Sequence, residues 1–276
     1  MNQYDFDLLT EKLPELRSKV VLNKSGGETI NFSDSKSVRL LNKALLFSEL
    51  DLHYWDFPEN NLTPAYPSRL IYLELCQNLY EELFKNKPTQ ILDIGCGASL
   101  IYALIATKKF GWRSTGADID AKSIEYAQNI IDKNKLNSQI DLRHQSNSKY
   151  VLNNIVLEKD TFDLSICNPP FYSSSEEAAK NRELKVKNLK IDGDSNNFQG
   201  KNNELWCSGG ELSFVKNYIR ESQFYKTQIK LFSSLISNGD NIRPLKVALK
   251  KIGTRCEVKR IKKGNKLHNF IFWSFQ

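Results

Sequence analysis

No apolar run in the 276-residue sequence approaches the roughly 18–20 residues that span a bilayer, and its start, MNQYDFDLLTEKLPEL, carries acids where a secretory leader carries bases. The expectation is a cytoplasmic protein without membrane contact. Cysteine is sparse: Cys76, Cys96, Cys167, Cys207 and Cys256 are odd in number, widely spaced and free of any C-x-x-C. That spacing argues against a disulfide framework and against a zinc site, so reduced packing thiols and no metal are expected. The three histidines, His53, His144 and His268, are scattered and read as structural. Disorder throughout is unexpected, because 40% of the residues are hydrophobic and can bury a full core.

Acidic charge is what the C-terminal third lacks. Residues 176–276 hold 20 Lys and Arg against 10 Asp and Glu, whereas residues 1–90 hold 10 against 13 and residues 91–175 hold 9 against 9. The whole net charge of +7 therefore arises in the last third, which suits a polyanion whose phosphates add affinity through counterion release. Within it, Lys259, Arg260, Lys262 and Lys263 are the candidate phosphate contacts, with an idle solvated face as the alternative.

Residues 4–86 read as mainly helical: an apolar-periodic stretch from Tyr4 to Val20, a turn at Gly26-Gly27, SDSKSVRLLNKALLFSEL behind a Ser/Asp cap, then SRLIYLELCQNLYEELF. From Gln90 short β runs alternate with helices (QILDIG, SLIYALIATKKF, WRSTGADI, AKSIEYAQNIIDKN, QIDLRH, FDLSICN), the pattern of a doubly wound, parallel α/β sheet. The polar stretch from Phe171 to about Glu204 predicts a long mobile loop or lid. After it come a helix (ELSFVKNYIRES), a strand (TQIKLFSSLI), a helix (NIRPLKVALKKI) and two β runs joined by a Gly-Asn turn, an antiparallel hairpin at the sheet edge.

Asp93-Ile94-Gly95-Cys96-Gly97-Ala98-Ser99 follows the first β run and opens a helix at Ser99, a turn where glycines let a ligand approach and the helix start offers free N–H groups. The next strand ends at Asp118, 25 residues beyond Asp93, where a carboxylate can accept both ribose hydroxyls; Asp120 is close enough to do so instead. S-adenosylmethionine fits better than a nicotinamide dinucleotide. Asp93 would repel a pyrophosphate but balance a cationic amino-acid end, the third glycine of G-x-G-x-x-G is replaced by Leu100, and an amine-methylation motif follows.

That motif is Asn168-Pro169-Pro170-Phe171, at the end of the strand beginning at Phe162. The exocyclic amine of adenine is a poor nucleophile because its lone pair is delocalised into the ring. The side-chain oxygen of Asn168 and the C=O of Pro169 can each accept one N–H, drawing the nitrogen toward sp³ geometry. Pro170 keeps the backbone rigid, and Phe171 can stack on the base. A methylated aminium sheds its proton readily to water, so catalysis is mostly positioning, on a base in a loop or flipped out of a helix.

With these motifs in place, the sequence resembles the bacterial 23S ribosomal RNA adenine-N6 methyltransferases, whose eukaryotic relatives methylate U6 spliceosomal RNA. The resemblance runs through SVRLLNKALL, WDFPENNLTPAYPSRLIYL, LDIGCGASLIYALIA, NPPFYSSSEEA, NFQGKNNELWCSGGELSFVKNYIRES, SSLISNGDNIRPLKVAL and FIFWSF. It implies a class I Rossmann-like methyltransferase, an α/β fold with a mixed seven-stranded sheet over 87–276. Residues 1–86 would be an N-terminal mainly helical extension for RNA recognition and cofactor cover. S-adenosyl-L-methionine is the implied cofactor, and 23S rRNA or its assembly intermediate the partner of a monomer. The resemblance further implies that Arg69 contacts the cofactor carboxylate, that Gly95, Gly97 and Ser99 line the methionine end with Asn168 beside it, and that Asp118 holds the ribose. Ser146 would lie near the cofactor adenine, and Ser208-Gly209-Gly210-Glu211 beside the active site. The competing readings are methylation of a U6-type small nuclear RNA, of adenine in DNA or of a protein glutamine, and a catalytically inert RNA-binding module.

Overall fold

Seven strands form one sheet in the order β5-β4-β3-β6-β7-β9-β8, in a computed structural model that describes residues 4–59, 61–170, 174, 207–263 and 266–276. The strands are β3 (Gln90–Ile94), β4 (Arg113–Asp118), β5 (Ile140–His144), β6 (Phe162–Cys167), β7 (Ile229–Ile236), β8 (Arg255–Lys263) and β9 (Lys266–Ser274). All pair in parallel except β9, which runs antiparallel to both β7 and β8 and so closes the C-terminal hairpin against the sheet. From β3 the chain moves to β4 and β5 on one side, then returns to β6 on the other. Order reverses between β3 and β6, and a crevice at the carboxyl ends of such strands is where open α/β sheets hold ligands.

Helices cover both faces, which is why β3 and β6 are buried almost throughout although their sequences include Asp93, Asp163 and Ser165. One core joins α2 (Ser35–Leu50), α3 (Tyr66–Phe84), α4 (Ile101–Phe110) and α5 (Ala121–Lys133). The other joins α6 (Gly210–Ser222), α7 (Ile242–Lys251) and the segment around Val151–Val156. Ile101 to Thr107 of α4 are all buried, because this helix lies between the sheet and the N-terminal segment; its sequence accordingly has no polar face there.

The stretch from Tyr4 to Val20 is not one helix. Asp5 caps α1 (Phe6–Lys12), which ends at Leu13 because Pro14 has no N–H to donate and restricts its predecessor; a 3₁₀ run then covers Pro14–Lys19. Around the glycine turn stands a small hairpin, β1 (Val20–Leu22) and β2 (Glu28–Ile30), that helical periodicity did not foresee. Asp34 caps α2 by accepting from the N–H groups of Lys36 and Ser37, as its sequence predicts. The loop expected from Phe171 to about Glu204, Ser174 apart, and the Gly264-Asn265 turn lie outside the described residues.

At the amino edge of the sheet, Asp163 ties four elements together, accepting from Tyr80 Oη (2.7 Å), Lys230 Nζ (2.8 Å) and the Thr89 backbone and hydroxyl (2.7 and 2.9 Å). Burial opposes its ionisation, but these donors hold the carboxyl at about 2. The cluster sits at the end of the strands opposite the crevice and is structural.

Candidate active site

The register Ile94↔Cys167 sets Gly95 and Asn168 side by side at the crevice. Gly95 (φ +76°) and Gly97 (φ +62°) turn the chain away from β3 through a backbone region that β-carbon residues avoid. The Gly95 and Cys96 N–H groups donate to the C=O of Ala117 (2.8 and 3.0 Å), and the Gly97 N–H donates to Asp118 Oδ2 (2.8 Å). The glycine turn is thereby locked onto the end of β4. The helix begins at Ile101 rather than Ser99, because Leu100 takes a left-handed conformation (φ +51°) as the residue preceding it. Fully buried, Leu100 packs over Gly116, where a β-carbon would come within 3.1 Å of its Cδ1.

Four polar atoms at this edge are buried with no hydrogen-bond partner among the described residues: both oxygens of Asp93, the Tyr102 hydroxyl and Asn168 Oδ1. Buried polar groups are almost always paired, so orphans gathered in one place mark where a ligand supplies the partner. Burial, with the Asp118 charge added, pushes the Asp93 carboxyl up to about 8, while Arg69 draws it down. Arg69, in the first turn of α3, lies over the Tyr102 ring at 5.6 Å and has no ion-pair partner among the described residues. The Asp118 carboxyl is likewise raised by burial, against N–H bonds from Asp120 and Gly97. Asp120 is committed elsewhere: it caps α5, accepting from the Lys122 N–H (3.2 Å) and Ser123 Oγ (2.9 Å).

Arg69, Asp93, Gly95, Gly97, Ser99, Asp118, Asn168, Pro169 and Pro170 thus fall on or beside one crevice, while Phe171 lies outside the described residues. Ser146 is exposed just past β5, next to Gln145, whose N–H donates to the C=O of Asp118 (2.8 Å). The basic residues of β8 divide. Ile261 packs toward α3 and Val258 toward α7, so alternation puts Lys259 on the first face and Arg260 and Lys262 on the second. Lys259 is ion-paired with Glu257, and the side chain of Lys263 is outside the described residues.

Three contributors escaped the sequence. Tyr102 reads as core within an apolar helix, and only its stranded hydroxyl sets it apart. Asn42 of α2 accepts from the Tyr66 N–H (2.8 Å) and so fixes the start of the helix that carries Arg69; its signal is a lone amide in an apolar run. Trp55, fully buried, donates its indole N–H to the C=O of Ser99 (2.8 Å), bracing the glycine turn from the N-terminal segment. Arg39 fastens that segment by pairing with Asp56 (2.7 Å) and lying 4.0 Å over the Phe57 ring.

A sheet of this order ending on a reversed strand, with its stranded polar atoms at the switch point, places the protein among the S-adenosylmethionine-dependent methyltransferases. A family model described as RNA methyltransferase matches residues 1–276, and the chain belongs to that family. It is 40% identical over 278 residues to the ribosomal RNA large subunit methyltransferase F of Klebsiella pneumoniae (strain 342), covering 99% of this chain and 91% of that protein. To the protein of the same name from Pseudoalteromonas translucida (strain TAC 125) it is 39% identical over 282 residues, covering 100% and 90%. Among solved structures, the human METTL16 catalytic domain in complex with MAT2A 3′UTR hairpin 1 superposes with a TM-score of 0.84 at 27% identity, covering 100% of this chain and 92% of that one. The N-terminal domain of human METTL16 in complex with SAH gives a TM-score of 0.79 at 26% identity, covering 100% and 95%.

Trp55→Phe should keep the ring packing and lose only the bond to Ser99. The stranded carbonyl is expected to cost about 1–3 kcal/mol, divided between stability and cofactor affinity. Thermal unfolding with and without S-adenosylmethionine checks this; equal melting shifts and equal cofactor affinity in both proteins would show the bond to be idle.

Proposed function

We propose that the protein transfers a methyl group from S-adenosylmethionine to N6 of one adenine in large-subunit (23S-type) ribosomal RNA. The observation that carries this reading is Asn168 Oδ1, a buried acceptor without a partner among the described residues, standing beside the glycine turn. The names of the relatives at 39–40% identity support large-subunit ribosomal RNA as the substrate.

The residues fit the cofactor at each end. Arg69 would hold its carboxylate and Asp93 its ammonium, with Gly95, Gly97 and Ser99 along the methionine, Asp118 on the ribose and Ser146 near the adenine. When bound, S-adenosylmethionine supplies an activated methyl group. Asn168 Oδ1 and the Pro169 carbonyl then accept the two N–H bonds of the target amine, Pro170 keeps that edge rigid, and Phe171 stacks on the base. Positioning of this kind lowers the barrier without a strong base. Residues 1–86 serve as the extension that covers the cofactor and recognises RNA, and residues 87–276 as the catalytic domain. The enzyme works as a monomer in the cytoplasm; among the described residues no helix is long and apolar enough to cross a membrane.

Tritiated methyl transfer onto total RNA from a strain lacking the enzyme tests the reading. The expected product is N6-methyladenosine at one position of large-subunit RNA. Label in small-subunit RNA, or in DNA or protein from the same strain offered beside the RNA, would overturn it.

A further inference from the structure

Arg243, Lys246, Val247 and Lys250 are spaced i, i+3, i+4 and i+7 along α7 and are all exposed, while Ile242, Leu245 and Leu249 on its other side are buried. Facing them across a groove of about 420 Å³ is Arg260 of β8, with Gly239 also lining the groove. Lys246 lies near enough to β8 to pull down the Cys256 thiol, which burial otherwise raises. None of these four cations has a carboxylate partner among the described residues, and Asp240, in the turn before α7, does not line the groove.

The arrangement works against the isolated helix. Arg243 and Lys246, then Lys246 and Lys250, are like-charge neighbours three and four residues apart, and Arg243 stands at the helix end where the dipole disfavours cations. Only Lys250, in the last turn, gains from the dipole. A polyanion along the groove offsets these costs, and a row of three cations on α7 with Arg260 opposite them matches a phosphate chain better than a single small anion.

We propose that this groove takes the phosphate backbone of the RNA flanking the target nucleotide, a contact separate from the crevice that grips the reacting base. The inference rests on the RNA methyltransferase reading above. Three inter-strand steps from β6 to β8 put it about 14 Å to the side of Asn168. Its upper end is fixed to the active-site side by Glu211, a buried carboxylate of α6 that accepts from the Ser237 N–H (2.6 Å), the Asn238 N–H (3.3 Å) and Asn241 Nδ2 (2.7 Å). RNA held in the groove is thus held in register with the crevice.

The test compares the intact protein with R243Q/K246Q/K250Q, exposed changes to a residue that favours helices. Large-subunit ribosomal RNA from a strain lacking the enzyme is the probe. The variant is expected to bind it roughly tenfold more weakly at about 50 mM KCl, with the slope of log Kd against log salt reduced by about 2 for three lost phosphate contacts. Its cofactor affinity and its kcat at saturating RNA should be unchanged. A control, K108Q/K122Q/K133Q, removes the same charge from α4 and α5 and should leave the slope within a few tenths. Unchanged affinity and slope in the groove variant, or an equal loss in the control, would overturn the assignment. Should the intact protein fail to methylate RNA at all, the proposed function falls instead, and the binding comparison still decides the groove.

Discussion

Replacing Asn168 with alanine is expected to slow methyl transfer by about 10²–10³-fold while changing cofactor affinity by no more than a few fold, the loss typical of one preorganised hydrogen-bonding group at a reacting centre. The native acceptor is buried and has no hydrogen-bond partner among the described residues, so its removal relieves a desolvated atom instead of breaking a bond. Stability should therefore stay level or rise. Single-turnover transfer at saturating cofactor and RNA, with a melting curve beside it, separates the two effects. A variant that transfers at the native rate would rule out amine polarisation by this side chain, and one that merely unfolds would recast Asn168 as structural.

The Asp93→Asn variant is expected to be more stable than the native protein and close to unable to bind the cofactor. The free carboxyl is held at about 8 against an ordinary 3.8, so at pH 7 it is ionised in the unfolded chain and mostly protonated in the folded one. Folding then takes up a proton, and the stability contributed below pH 3.8 is lost steadily as pH rises toward 8. At pH 7 that loss amounts to about 4 kcal/mol as an upper bound, and an amide escapes it. Binding a cationic ammonium favours the ionised carboxylate, so cofactor binding should release a proton. In the native protein the affinity should climb by up to about tenfold per pH unit from pH 6 toward 7.5, and turn over near pH 8 as the cofactor's own ammonium loses its proton. Isothermal titration across pH 6–9 reads this directly. A flat profile between pH 6 and 7.5 in the native protein would mean that Asp93 does not meet the ammonium, and a rise over that range in Asp93→Asn would place the titrating group elsewhere. Stability held back at a binding site is a common trade against function.

Asp93 could be singled out as a candidate from sequence because its signal is local. Asp93, the glycine turn, Asp118 and the Asn-Pro-Pro edge each sit at the end of a β run, and a strand end in a doubly wound sheet is a position that neighbouring residues already define. Alternation of apolar runs likewise gave the parallel sheet, the last two helices and the closing hairpin. Helical periodicity failed between Tyr4 and Ile30, where one proline and a glycine turn outweigh it. Asp118 and Asp120 could not be told apart two residues from each other; the structure separates them because one faces the glycine turn and the other caps a helix.

The order of residues was enough to settle which chemistry is at hand, since backbone turns and strand ends depend on a few adjacent side chains. Folding alone decided which distant groups come to stand beside the crevice. Trp55 reaches Ser99 across 44 positions, Asn42 holds Tyr66 across 24, and Arg69 comes to rest over Tyr102 through the packing of two helices. The basic C-terminal third shows the same division. Its charge could be counted in the chain, but strand alternation sends Lys259 to one side and Arg260 to the other, and the packing of α7 against the sheet brings Arg243, Lys246 and Lys250 opposite the latter. Contacts of that kind depend on where whole elements come to lie, a collective outcome of core burial that no short stretch of residues encodes.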